Sequence, residues 1–463
     1  MGRVTYGRKQ RDTAMRMTYC LMAFLCLGTA GDADDHEVSR LARFLQDADP
    51  GKCADAAEAL GKLGPAAAPA LPQLVQSLGD ERETPRTTNS SMGFPYSLPV
   101  SSVARDALLA IGEPAIPPLI EELKRKRRPT RSQIVDLLAT IGTPAQAALP
   151  ELAAIVHSTT RNSLRQSAVS AYLLIADNSL DVLDHLILWV DDRDEHIRYF
   201  AMESMGSFGS KAAAAVPTLT KHLTDDSEVR VMISDHLGFE TPLRQFACEA
   251  LGKIGAPSHD ALPQLQQMMH HDSQSVVRVA AALAFSRIDL NREDGVRVLI
   301  TELQRSPEGL NSVPQAAEAL GELGPRAVPA WSLLEPLSRN EKFEWNRSTA
   351  LRALSKIDGP RSLKRLTAAL ENDPNTLVRE TAAECIGNLG ETASPAIPAL
   401  IRSLEPLDDD DFKISLRAAS AKSLGQIGPL AIEALPTLEK LRTTGSSDWE
   451  KDAAAEAIRL IKP

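Results

Sequence analysis

The segment AAEALGKLG at 56–64 returns along the chain with small changes: ACEALGKIG at 247–255, AAEALGELG at 316–324, AAECIGNLG at 382–390 and SAKSLGQIG at 420–428. With the last residue of each as an anchor, weaker copies give anchors at Gly64, Gly112, Gly142, Ala176, Gly209, Gly255, Asp289, Gly324, Asp358, Gly390, Gly428 and, last, near Lys462. Successive anchors lie 30–38 residues apart, except for two intervals of 48 and 46. A period in the thirties means stacked supersecondary units, none of which buries its apolar face alone. A chain of 463 residues exceeds what one compact core holds, and the repeat explains how it folds.

Each unit reads as helix. In the copy ending at Gly390, apolar or small residues fall at −12, −8, −5, −4 and −1: Val378, Ala382, Cys385, Ile386 and Leu389. Those steps trace one face of a 3.6-residue period. The small residues at −8 and −5 predict close approach of neighbouring helices, and the anchor glycine predicts a left-handed cap. We call this the anchor helix. The leading helix of the next pair follows the anchor: Pro72, Pro150, Pro217, Pro263, Pro398 and Pro436 all stand eight residues beyond one, where a first turn tolerates proline.

This pattern, a proline-bearing helix, an Asp turn, Val-Arg, Ala-x-x-Ala-Leu and Gly, resembles HEAT repeats, especially the short bacterial HEAT-like kind that includes the phycobilin-lyase type. The resemblance covers residues 36–463, about twelve helix pairs. It implies an all-α fold, a right-handed superhelix with the second helix of each pair on the concave side. It implies a Asp and Arg ladder as well. Arg131, Arg165, Arg198, Arg244, Arg278, Arg347, Arg379 and Arg417 stand at −11, and Asp47, Asp192, Asp272, Asp373 and Asp411 at −17. The Asp is expected to cap the anchor helix. The Arg is expected to bond to the Asp of its own or an adjacent unit.

Position −6 falls between the apolar positions and is expected to face solvent. It carries Glu58, Asp106, Asp136, Glu203, Glu249, Glu318, Glu384 and Glu456. On the concave side these acids would form a column that attracts a partner with a basic surface. The competing reading is an ordinary solvated helix face, since Lys62 and Lys253 follow Glu58 and Glu249 by four residues. The two long intervals mark insertions near 79–101 and 226–242, each with a Gly-Phe pair, Gly93-Phe94 and Gly238-Phe239. Aromatic residues on loops held by a rigid scaffold suit binding, so Phe94 and Phe239 join the candidate contact residues.

The formal net charge of −10 argues against a general nucleic-acid binder. No catalytic motif is present. There is no HExxH, phosphate loop, Gly-x-Ser-x-Gly elbow or haem motif, and His270-His271-Asp272 falls at an expected turn. No metal or other cofactor is expected. Some enzymes share similar repeats, but their marks are missing. Deoxyhypusine hydroxylases carry repeated His-Glu pairs, whereas here the pair is His36-Glu37 alone, ahead of the repeats. The expected function is a non-catalytic scaffold or adaptor for protein partners. The alternative is an accessory, lyase-like subunit that holds a cofactor or substrate for an enzyme.

Residues 1–30 read differently. Arg3, Arg8, Lys9, Arg11 and Arg16 precede the apolar stretch Tyr19–Leu27, and Gly28-Thr29-Ala30 follows. This is the layout of a signal peptide, which makes 31–463 the mature solenoid and places it in the periplasm, the cell envelope or outside the cell. The alternative is a cytoplasmic protein with a basic tail. Cys53, Cys248 and Cys385 fall in alanine-rich helices and read as small buried residues rather than a disulfide framework.

Overall fold

The computed structural model describes residues 35–89, 95–125, 130–158, 162–177, 179–232, 238–305, 312–339, 342–405 and 411–462. The signal-like segment and Phe94 lie outside them. The described chain is all-α apart from two small β-ribbons, and its contacts divide it into two compact units.

The first unit comprises residues up to Phe208 together with 227–241. It holds five helix pairs. Their anchor helices are α1 (Pro50–Leu63), α2 (Val100–Ile111), α3 (Thr130–Ile141), α4 (Asn162–Ala176) and α5 (Glu195–Ser207). Each packs against the next in order, while the leading helices form a second layer. The second unit comprises 209–226 and 242–463 and holds seven pairs. Its anchor helices are α6 (Leu243–Ile254), α7 (Ser275–Ile288), α8 (Ser312–Leu323), α9 (Glu344–Ile357), α10 (Thr376–Gly387), α11 (Asp411–Ile427) and α12 (Asp448–Ile461), again stacked in order.

The repeat residues do two jobs in this stacking. In α10, Val378, Ala382, Cys385 and Ile386 are buried, as their spacing requires. The small residue at −5 meets a glycine at −3 of the preceding anchor helix. A Cβ added at Gly252 would lie 2.7 Å from Ala284 Cα, one at Gly321 2.9 Å from Ala353 Cα, and one at Gly425 2.9 Å from Ala457 Cα. Backbone therefore touches backbone, and this contact sets the helix spacing. The free thiols of Cys53, Cys248 and Cys385 are all buried in the same alanine-rich layers.

The anchor glycines have positive φ, but they are not left-handed helical. Gly64, Gly112, Gly142 and Gly255 have φ between 58° and 77° with ψ between −135° and −141°. Left-handed α would need ψ near +47°. The observed region belongs to glycine's mirror-β range, open to a residue without Cβ. It turns the chain into a short 3-10 segment, as at Gly64–Ala70, before the next leading helix. All six marked prolines then occupy the second position of a leading helix. Where the anchor is Asp289 or Asp358 the backbone is extended instead. Asp358 itself caps the following helix by accepting from Arg361 N–H at 3.1 Å.

The two insertions form two-stranded ribbons rather than open loops. β1 (Glu83–Asn89) pairs antiparallel with β2 (Pro95–Pro99), with Thr87 opposite Ser97 and an irregularity towards Glu83. β3 (Glu228–Met232) pairs with β4 (Gly238–Pro242). Among the described residues, no helix is long and apolar enough to cross a membrane.

Candidate partner-binding face

The Arg and Asp columns lie inside the stack and join successive pairs. Arg244 of α6 donates to both carboxylate oxygens of Asp272, in the turn before α7, at 2.7 and 3.1 Å. Arg347 of α9 does the same to Asp373 before α10, at 2.8 and 2.9 Å. Arg165 bonds to Asp192 before α5. Where the next pair lacks the Asp, another acid replaces it: Arg278 grips Glu302 with two 2.8 Å bonds, and Arg417 donates to Glu450 at 2.7 Å. The guanidinium also ties down the turn ahead of its own helix. Arg198 donates to the Asp192 carbonyl and Arg278 to the Asp272 carbonyl, each at 2.8 Å, while Arg379 donates to the Leu370 carbonyl at 2.8 Å. The Asp411 side chain lies outside the described ones.

The helix cap is displaced from its expected position. Asp192, Asp272 and Asp373 do not cap the anchor helix. Each accepts the backbone N–H two residues on, from Asp194, Gln274 and Asn375, at 2.9 Å. The N-cap is that later residue, and Asp194 and Asn375 accept N–H bonds from their own helices. An Asp at −17 is two residues too early to reach the helix, and it serves the turn and the previous pair instead.

The pair at Asp272 carries a pH dependence. Burial by itself raises this carboxyl, but the Arg244 bonds and the Gln274 N–H outweigh it and hold the group below the ordinary carboxylate range. A depressed folded pKa means a contribution fully present above the unfolded value, about 3.9, and lost as pH falls through the folded one. Thermal unfolding of the native protein and of Asp272→Asn, followed by circular dichroism from pH 7 to pH 2.5, should show a gap in Tm that closes below about pH 4. A gap constant with pH would contradict the pairing.

The outward face of the anchor helices carries the −6 acids, and most of them are already engaged. Glu58 pairs with Lys62 at 2.6 Å and with Arg86. Asp106 has Arg105 at 3.1 Å and Glu456 has Arg459 at 2.6 Å. Glu384 faces Arg352 at 3.9 Å, and Glu249 accepts from the Gln245 amide at 2.8 Å. Glu318 is half-buried. Among the described residues, Asp136 of α3 and Glu203 of α5 have no ion pair.

The ribbons reach this same face. β1 packs on α1, where Arg86 bonds to Glu58 and lies 2.6 Å from Asp55, the residues at −6 and −9. Arg82 fixes the base of the ribbon. It chelates Asp80 at 2.6 Å and donates to the carbonyls of Asp47 and Ala48 at 3.1 and 2.9 Å. These are the bonds a ladder arginine makes, and α1 has Cys53 in that place, 3.6 Å from the Arg82 guanidinium. The insertion thus supplies the arginine its own repeat lacks. That cysteine in the arginine column was the sequence signal for it. β3 packs on α5, and Met232 of β3 and Phe239 of β4 are both exposed.

Between α3, α4 and α5 the face opens into a groove of about 560 Å3. Serine and threonine hydroxyls line its length. Asp136, Gln166 and His196 add polar groups, and Leu174 and Phe200 are its apolar wall. The Gln166 amide bonds to Asp194 at 3.2 Å, which ties the floor of α4 to the cap of α5. Among the described residues, no group of three or more His, Cys, Asp or Glu is placed to hold a metal ion.

The construction described above is that of a HEAT-type helical solenoid. Residues 296–387 and 366–459 match the family model of HEAT repeats, so this part of the chain consists of HEAT repeats, and the preceding pairs are built in the same way. Solved structures of similar fold include the Kap95:Nup1 complex, at 12% identity and a TM-score of 0.56 over 92% of this chain and 61% of that one. Kap95p bound to RanGDP is similar at 12% identity and a TM-score of 0.50, over the same shares. The chain thus spans less than two thirds of those proteins, and at this identity the likeness is one of fold. No curated protein matches the sequence.

Proposed function

We propose that this chain is a non-catalytic scaffold that holds a protein partner on the outward face of its anchor helices. One observation carries the reading. The Asp and Arg ladder and the glycine contacts are consumed in stacking, whereas the face at −13, −9 and −6 is left outward, with a groove, two ribbons and, among the described residues, two acids without an ion pair on it. Stacked repeats hold such a surface rigid without further cost in ordering. The solved proteins of similar fold are complexes with protein partners, Nup1 in one and RanGDP in the other. The net charge of −10 favours a partner with a basic surface. We also propose that the protein is exported, on the strength of the basic run and apolar stretch ahead of residue 31.

The test is capture from native extract at low and physiological salt, with residues 31–463 as bait beside a variant carrying all eight −6 acids as glutamine. A partner retained by the native bait and lost from the variant supports the reading. Identical capture by both baits, or none by either, refutes a role for the acids.

A further inference from the structure

The strongest unassigned feature is the groove between α3, α4 and α5, and its chemistry narrows what fits. No lysine or arginine lines it, so nothing there would compensate a phosphate or carboxylate. Its single carboxylate, Asp136, has no ion pair among the described residues; desolvation raises the carboxyl, and the charge of Arg105 offsets this only in part. Glu203, also without an ion pair among the described residues, stands on α5 at the same register. Hydroxyls of Thr140, Ser163, Ser167 and Ser170 suit the N–H and C=O groups of an extended backbone. Leu174, exposed, and Phe200 offer apolar contact beside them.

The molecule already contains a model of how this face is occupied. On α1 an extended strand, β1, lies across the anchor helix and sets Arg86 between the residues at −9 and −6. On the three helices of the groove those two positions are Gln133 and Asp136 on α3, Ser167 and Ser170 on α4, and Phe200 and Glu203 on α5, of which Asp136, Ser167, Ser170 and Phe200 line it. At this height α3 and α5 each offer an acid at −6, α4 between them offers two serines, and no strand of the described chain supplies the arginine.

We propose that this groove docks an extended peptide segment of a partner, one that sets an arginine side chain against Asp136 and an adjacent apolar residue on Leu174 and Phe200. The inference rests on the reading of the anchor-helix face as a partner surface and names the chemistry of its occupant. Charge-assisted pairing of a guanidinium with a carboxylate supplies the specificity, and the hydroxyl floor accepts the backbone.

The probe is a fluorescein-labelled pentapeptide, Thr-Leu-Arg-Leu-Thr, with a twin in which citrulline, of the same shape but neutral, replaces the arginine. Fluorescence anisotropy with the whole protein should show saturable binding of the arginine peptide. Binding should weaken about tenfold for the citrulline peptide and about tenfold in Asp136→Asn. Phe200→Ala should weaken both peptides. Glu121→Gln, on the leading helix Ile116–Lys124 and already paired with Lys124, should change nothing. Asp136 is exposed, so its substitution leaves the fold intact, and unchanged thermal unfolding confirms that. Equal binding of the two peptides, no effect of Asp136→Asn, or no binding overturns the proposal. If partner capture by the native bait nevertheless survives Asp136→Asn and fails only in the eight-acid variant, this groove alone is excluded and the broader reading stands.

Discussion

Glu450→Gln is expected to lower the stability of the last two helix pairs by about 3–5 kcal/mol. Arg417 is 1% exposed and Glu450 fully buried, and the guanidinium donates to Glu450 Oε2 at 2.7 Å. The other oxygen, Oε1, accepts from the N–H of Ser447 at 3.1 Å, within the capping box that starts α12. Glutamine keeps an acceptor for the cap, so the substitution isolates the charge. It takes the Glu450 charge away from a buried guanidinium, which costs more than the pair contributed. Because repeats couple mainly to their neighbours, the loss should be local. Hydrogen exchange should show protection lost in α11 and α12 and retained in α6 and α7. Arg417→Met combined with Glu450→Gln, which removes the buried guanidinium as well, should restore most of it. If the single variant unfolds like the native protein, Arg417 is not the buried partner described here.

The second large effect is expected at Gly252. An added Cβ would stand 2.7 Å from Ala284 Cα and 3.0 Å from Ala284 Cβ, and neither a helix backbone nor a methyl group can rotate aside. Gly252→Ala gains about 1 kcal/mol of helix propensity, which offsets part of the clash. The net loss is small, about 1 kcal/mol, set against an overpacking cost of 1–3. Gly252→Val adds two methyl groups in the same place and has poorer helix propensity. We expect a loss of about 3 kcal/mol, with α6 and α7 forced apart. Urea unfolding of the two variants measures both values. Equal stability of Gly252→Val and the native protein would show that these helices are not spaced by the glycine.

Much of this architecture could be read from the residues. The anchors, the small residues at −8 and −5, the prolines and the columns of Arg and Asp follow from a periodic pattern whose period is that of the structure. Relations between pairs were less legible. Arg244 lies six residues before Ala250 in its own helix, yet its carboxylate partner, Asp272, stands 28 residues ahead. A periodic sequence carries the same spacing in every register, and only packing decides which Asp each Arg meets. The anchor glycines marked a positive φ but not its ψ, because a helix end satisfies both options with the same residue. The ribbons were hidden for another reason. Glu83–Asn89 and Pro95–Pro99 are polar and rich in proline and threonine, without the alternation that announces a half-buried strand. The ribbon is held by Arg82 and Arg86, whose partners on α1 and in the turn before it lie about thirty residues away in sequence. The groove was also invisible, since Ser170 interrupts the acidic column and, with Ser163 and Ser167, reads as ordinary helix surface.

The most direct test of a partner-binding anchor-helix face is site-specific photo-crosslinking in native extract. A benzophenone side chain at Ser170 on α4, within the groove, is compared with one at Glu121, exposed on the leading helix Ile116–Lys124. The account predicts a discrete crosslinked protein from position 170 and none from 121. Crosslinking from 121 and not from 170 would place the partner on the opposite layer and contradict it.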